Sequence, residues 1–260
     1  MLNLAIEKSK KPLQRLKISS RNALHKTICD ENGDLYTGLW KDGKKHGFGT
    51  QEWTKDKVSY RGSWKDGRRH GEGILYGANT LFEFVYKGEW KKDKRNGQGI
   101  HFYEDGSRYE GAWKKDKRHG CGQMDYGDGS TYIGQWKGDQ RSGFGKMWHA
   151  DGATYEGHWE NDKRHGEGIL ITKKGDKYKG FWENDQKHGE GKYSINENGL
   201  EFAGLWINNN FCCGVLEVKN SEAPIPMKLE IPKWTLRNSQ EVIDNAKKYY
   251  IEKSESSAQK

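Results

Sequence analysis

The chain has 260 residues, a formal charge of +8, only 32% hydrophobic residues and a mean hydropathy of −1.11. It is too polar for a thick globular core, yet 12% aromatics with 11 tryptophans is too aromatic for a disordered chain. Cys29, Cys121, Cys212 and Cys213 are spaced neither as a disulfide framework nor as a zinc site, and no window approaches the ~18 apolar residues of a membrane-spanning helix.

Residues 1–33 carry seven Lys or Arg against three acids, contain Pro12 and lack periodicity. They read as a basic N-terminal arm without fixed structure, or else as a partner-binding segment.

From residue 34 to 216 one pattern recurs: Tyr-x-Gly-x-Trp, then Gly-x-Gly beginning seven residues after the Trp. It is anchored at Trp40, Trp64, Trp90, Trp113, Trp136, Trp159, Trp182 and Trp206. The intervals are 24, 26, 23, 23, 23, 23 and 24 residues, a fixed period that marks a repeat architecture. Glycine follows the same frame, since 28 of the 34 glycines occupy one of four repeat positions.

Tyr, Gly and Trp at i, i+2 and i+4 fall on one face of a strand. Gly-x-Gly followed by Leu75, Met124, Met147, Leu170 or Tyr193 continues that face on a second strand. Six residues rich in Asp, Gly, Lys and Arg lie between the two and suit a turn, and Asp105-Gly106, Asp128-Gly129 and Asp151-Gly152 punctuate successive repeats. The prediction is an all-β fold: an elongated, twisted antiparallel sheet of about eight stacked hairpins, on the order of 75 Å along the stack at ~4.8 Å per strand. If Trp113 lies opposite Gly120, then Gly111 faces Gly122, Tyr109 faces Met124, and Gly122 faces Trp136 across the next turn. Each indole then lies flat in a gap left by glycine, and these tryptophans form the structural core.

Residues 217–260 contain Pro224, Pro226 and Pro232 and run extended, followed by an amphipathic helix near 239–253. Asn238 caps it, with Glu241 three residues on, and Val242, Ala246, Tyr249 and Tyr250 share one face. This helix either caps the open end of the stack or docks a partner.

The Tyr-x-Gly-x-Trp and Gly-x-Gly elements at about 23 residues resemble the MORN repeat (membrane occupation and recognition nexus), over about Asp34 to Leu216. The last repeat departs: Phe202 replaces Tyr, and in "NNNFCCG" the late glycine moves to Gly214. The resemblance implies a non-enzymatic scaffold that tethers other proteins. Within the family, the tail "CCGVLEVKNSEAPIP" is similar to that of a member of male germ cells and ciliated cells. That similarity implies a cytoplasmic protein of the axoneme or acrosomal region, with axonemal or germ-cell assembly factors as partners. Two such ribbons could also pair as a homodimer.

Motifs for chemistry are outweighed by the repeat. His46, His70, His119, His165 and His188 recur six residues after their Trp, but on hairpins ~9–10 Å apart they cannot converge on one zinc ion, and they read as turn histidines. The Gly-x-Gly pairs lack the Lys-Ser/Thr of a phosphate loop, and Asp30, Asn32 and Asp34 lack the later glutamate of a calcium loop. No enzyme, cofactor or metal is predicted. One charged column remains: Lys45, Arg69, Arg95, Arg118, Arg141, Arg164 and Lys187, five residues after Trp. On the hairpin turns it would form a basic ridge, a surface for an acidic protein or for anionic phospholipid headgroups, diluted by acids such as Asp116 and Asp162. Nucleic acid is not expected, because the aromatics that would stack on bases lie on the face the repeat buries.

Overall fold

The structure, a computed structural model, describes residues 23–24, 27–77, 82 and 84–218. Among them all regular structure is β. Two short strands, β1 (Ala23–Leu24) and β2 (Ile28–Cys29), precede eight hairpins. The hairpins are β3 (Leu35–Lys41) with β4 (Lys44–Trp53), β5 (Val58–Lys65) with β6 (Arg68–Tyr76), β7 (Tyr86–Lys91) with β8 (Lys94–Phe102), and β9 (Arg108–Lys114) with β10 (Lys117–Asp125). They continue with β11 (Thr131–Lys137) and β12 (Gln140–Trp148), β13 (Thr154–Glu160) and β14 (Lys163–Ile171), β15 (Lys177–Glu183) and β16 (Gln186–Ser194), and β17 (Leu200–Ile207) and β18 (Asn210–Val218). From β3 to β18 each strand pairs antiparallel with its neighbours in sequence, giving the single open sheet of stacked hairpins that the period predicts.

The margins need separate comment. Ala23 and Leu24 pair with Trp40 and Leu39, and Ile28 and Cys29 pair with Tyr36 and Leu35. These four residues of the predicted arm therefore belong to the sheet, where they satisfy the outer backbone groups of β3. Asp30 accepts backbone N–H groups from Asn32 and Asp34, so this acidic trio serves a turn. Residues 1–22 lie outside the described residues. So does 219–260, with the predicted helix and its Val242, Ala246, Tyr249 and Tyr250.

The turns differ from expectation. In the fourth hairpin Lys114 pairs directly with Lys117, leaving a two-residue turn of Lys115 (φ 53°) and Asp116 (φ 71°). Two left-handed residues make the turn whose twist matches that of the flanking strands, and Asp, Asn and Gly tolerate this conformation best. The residues read as a six-residue turn are thus mostly strand, and the basic column and the histidines sit inside the sheet.

The register is half as predicted. Gly111 faces Gly122 and Tyr109 faces Met124, but Trp113 faces Arg118. A bulge over His119, Gly120 and Cys121 takes up the difference, with Gly120 left-handed at φ 69°. Across the next junction Gly120, not Gly122, faces Trp136, and Gly122 faces Gly134. One glycine from each of β3 to β18 therefore lines up in a single row, from Gly38 to Gly214.

Tyrosine, not tryptophan, fills that row. A Cβ on Gly122 would meet the Tyr109 Oη at 2.3 Å, and one on Gly111 would meet the Gly122 Cα at 2.5 Å. The Tyr109 hydroxyl donates to the Ala112 carbonyl at 3.0 Å, and the same bond recurs from Tyr36 to Tyr178. Six of these tyrosines have no exposed surface: Tyr60, Tyr86, Tyr109, Tyr132, Tyr155 and Tyr178. Each repeat indole from Trp64 to Trp206 stands edge-on between two tyrosines, as Trp136 does against Tyr109 (5.5 Å, 86°) and Tyr132 (5.2 Å, 89°). Its Nε1–H donates to the glycine carbonyl of the preceding hairpin, as Trp136 does to Gly122. Tyrosine closes a hairpin and tryptophan stitches it to the one before. Trp64 through Trp206 are buried, whereas Trp40 has no preceding hairpin and is only half-buried.

Candidate functional site

Two surfaces bear on function: the face carrying the tyrosine and tryptophan rows, and its opposite. The basic column lies on the aromatic face. Arg118, opposite Trp113, lays its guanidinium 4.3 Å from the ring of Trp136 in the next hairpin. Its backbone N–H donates to Asp139 Oδ1 at 2.9 Å, its Nε to the same oxygen at 3.3 Å, and its Nη2 to the Asp139 carbonyl at 2.8 Å. The Asp139 N–H returns a bond to the Arg118 carbonyl at 3.1 Å. The same unit recurs as Arg69–Asp93–Trp90, Arg95–Asp116–Trp113, Arg141–Asp162–Trp159 and Arg164–Asp185–Trp182, with ring distances of 4.2–4.3 Å. Five members of the column are thus held by a carboxylate on one side and an indole on the other, which leaves little free charge to present.

The two remaining members are lysines. Lys45 reaches Gln51 and lies over Tyr36 and Trp64, and Lys187 sits 4.3 Å over Tyr193 and 4.8 Å over Trp206. Burial lowers the pKa of both ammonium groups. Burial pushes the phenol of Tyr36 up to about 12, and those of Tyr60, Tyr86, Tyr109, Tyr132, Tyr155 and Tyr178 higher still. His101 takes a row position opposite Tyr86 and Tyr109, and burial brings its imidazole down to about 4. None of these shifts sets an acid beside a base or nucleophile. Among the described residues, no group of three His, Cys, Asp or Glu is placed to hold a metal ion, and no helix is long and apolar enough to cross a membrane.

The column histidines do not meet each other. His46 lies 3.7 Å from Asp66, and His165 lies 3.5 Å from Glu160 of its own hairpin.

The opposite face holds what sequence reasoning missed. Ile133, Phe144, Trp148 and Ile171 are 46%, 51%, 37% and 40% exposed, on β11, β12 and β14. Lys146, paired across the sheet with Ile133 and Glu156, lies between Phe144 and Trp148 along its strand and bonds Glu156 at 2.9 Å. The signal was available: these residues have the parity opposite to Tyr, Gly and Trp, where the repeat demands nothing apolar.

The MORN repeat family matches residues 36–57, 60–80, 86–108, 109–131, 132–154, 155–177 and 178–197, more than half of the chain. The chain therefore belongs to the MORN repeat family. The eighth hairpin, β17–β18, lies beyond the matched residues and keeps the architecture. No curated protein matches the chain. Among solved structures, the chain is similar to the SAS-4 (dCPAP) TCP domain of Drosophila melanogaster, in complex with a proline-rich motif of Ana2 (dSTIL). Identity is 9% and the TM-score 0.34, over 78% of this chain and 100% of that one.

Proposed function

We propose that the chain is a non-enzymatic scaffold, a stiff ladder of hairpins that tethers partner proteins. MORN repeats are protein- and membrane-binding modules as a class. What favours protein here is the exposed apolar group Ile133, Phe144, Trp148 and Ile171, interspersed with Lys146 and Glu156. Exposed apolar side chains set among charged ones suit a protein interface. The reading as a tether to anionic phospholipid rests on the basic column, and the pairing of its five arginines with aspartate leaves that reading weaker.

The finer reading comes from resemblance. Seven regular repeats followed by "CCGVLEVKNSEAPIP" resemble MORN repeat-containing protein 3. On that basis we place the scaffold in the cytoplasm of male germ cells and ciliated cells, around the axoneme or acrosome, with axonemal or germ-cell assembly factors as partners.

The test is affinity purification of the full chain from ciliated or germ-line tissue, in parallel with an Ile133→Asp/Phe144→Asp variant. A partner retained by the parent and lost by the folded variant supports the scaffold. Equal recovery by both moves the binding surface off this face. Retention of the parent on phosphoinositide liposomes at physiological salt would replace the reading with the membrane one.

A further inference from the structure

One part of the face opposite the aromatic rows is covered by the chain itself. The interval from Trp64 to Trp90 is 26 residues against the usual 23, and the longer connection brings Phe82 and Phe84 back onto Phe102. Phe82 stacks on that ring at 4.4 Å and 22°, Phe84 meets it edge-on at 5.3 Å, and the Arg108 guanidinium lies 5.9 Å from it. Two rings two residues apart, with a cation close by, are thus how this chain covers an aromatic side chain on this face.

The same place recurs uncovered. Phe102 stands twelve residues after its Trp, and so do Tyr76, Trp148 and Ile171. Tyr76 and Phe102, beside the long connection, are half-buried, whereas Trp148 and Ile171 are exposed. Trp148 has its cation, Lys146 at 5.1 Å, but no ring against it among the described residues. From β12 to β15 the order across the sheet is Trp148, Thr154, Ile171, Lys177, with the small Thr154 between the two apolar side chains. Lys177 and Lys179, the latter opposite Ile169, are exposed and have no acidic partner among the described residues.

We propose that this face takes an extended segment of a partner protein that carries two aromatic residues two apart and an acid two further on. The segment crosses the strands. Its first ring stacks on Trp148 as Phe82 does on Phe102, its second lies over Thr154 against Ile171, and its carboxylate meets Lys177. Alternate side chains of an extended chain point the same way, and four residues at ~3.4 Å match the ~14 Å of three strand spacings. Lys179 adds a second uncompensated charge, so the segment is acidic as well as aromatic. The proposal rests on the scaffold reading above and gives the partner a chemistry.

The probe is a fluorescein-labelled peptide, Ser-Phe-Ser-Phe-Ser-Glu-Glu, titrated with the full chain and read by anisotropy. Saturable binding is expected, weakened about tenfold or more by Trp148→Ala and again by Lys177→Glu/Lys179→Glu, and kept by Trp148→Phe. These positions lie off the aromatic rows, and far-ultraviolet circular dichroism checks that each variant keeps its sheet. The same peptide with lysines for its glutamates should bind about tenfold worse or less, and half-molar salt should erase that difference. Binding that ignores Trp148→Ala or the lysine pair overturns the proposal, as does equal binding of the lysine-bearing peptide. Displacement of the peptide by phosphatidylserine vesicles overturns it too, by assigning the face to a membrane. No binding of the peptide, while a tissue partner is still lost by Ile133→Asp/Phe144→Asp, overturns this chemistry and leaves the scaffold standing; no tissue partner on the parent chain removes both.

Discussion

Between β6 and β16, five hairpins in succession seat an arginine on the next indole and lock it with an aspartate from the next turn. At the two ends the same place is filled otherwise. Lys45 is followed by Gly67, which offers only its backbone N–H to the Lys45 carbonyl. Lys187 is followed by Asn209, whose amide oxygen still accepts the Lys187 N–H at 2.9 Å but brings no charge. The aromatic row is continuous across all of these hairpins, so the difference isolates what the ion pair adds. A semi-buried guanidinium needs a counter-charge, whereas an ammonium resting on rings can keep part of its hydration. The interior hairpins are joined by ion pairs at this place, and the end ones by neutral hydrogen bonds.

The largest test of this contrast uses pH. Every interior tyrosine has its pKa raised by burial above the ordinary 10. A native phenol then holds its proton at a pH where the unfolded chain releases it. The stabilisation is therefore complete below pH 10 and is lost as pH climbs through the folded values. Urea midpoints should be flat from pH 7 to 10 and fall steeply above it. The terminal hairpin, with Phe202 in the tyrosine place, should be blind to this change. Tyr109→Phe should soften the alkaline fall and cost about 1 kcal/mol at neutral pH, through the lost bond to the Ala112 carbonyl.

Next in size is a matched pair of deletions. Asp139 and Asn209 both occupy the second turn position, with φ 76° and 70°, so alanine meets the same left-handed backbone cost at either. Asp139→Ala also leaves the Arg118 side chain, only 18% exposed, without its carboxylate. It should lose roughly 2–3 kcal/mol by chemical denaturation, against about 1 kcal/mol for Asn209→Ala. Equal losses would mean the charge contributes nothing. The reverse exchange, Lys187→Arg/Asn209→Asp, turns an end into an interior unit. It should stabilise by about 1 kcal/mol at low salt, and less as salt is added.

The sheet, its hairpins and their faces were legible because period-2 strands with fixed spacing leave few alternatives. The turns were not, since Lys117, Arg118 and His119 are residues common in turns, and a left-handed glycine such as Gly120 serves a bulge as well as a loop. The arginine units also escaped notice, because they join residues about 21 apart whose proximity depends on that register. Their trace is nonetheless written in the chain. Wherever the residue five after Trp is Arg, the one three after the next Trp is Asp; where it is Lys, the partner is Gly67 or Asn209. The apolar group on the far face was hidden for a different reason. Ile133, Phe144 and Trp148 obey no repeat, so only their parity, opposite to that of Tyr, Gly and Trp, flags them.

The smallest test concerns the far end of the hairpins, where a second staple recurs in four of them. Two residues before the row tyrosine, the side chains of Asp34, Ser107, Ser130 and Asp176 accept the backbone N–H of Thr54, Gly127, Ala150 and Asn196. Each bond ties one inter-repeat loop to the next. Before Tyr155 the same place is Ala153, so its side chain cannot accept from Lys173. Ala153→Ser supplies the oxygen at a half-buried position without touching the aromatic rows. A gain of about 0.5–1 kcal/mol is expected from one added hydrogen bond. Ala153→Val, which adds bulk without an acceptor, serves as the control. If both variants stabilise alike, packing rather than the staple joins these loops; if serine alone does so, the loops are held by hydrogen bonds as the turns at the opposite margin are held by charge.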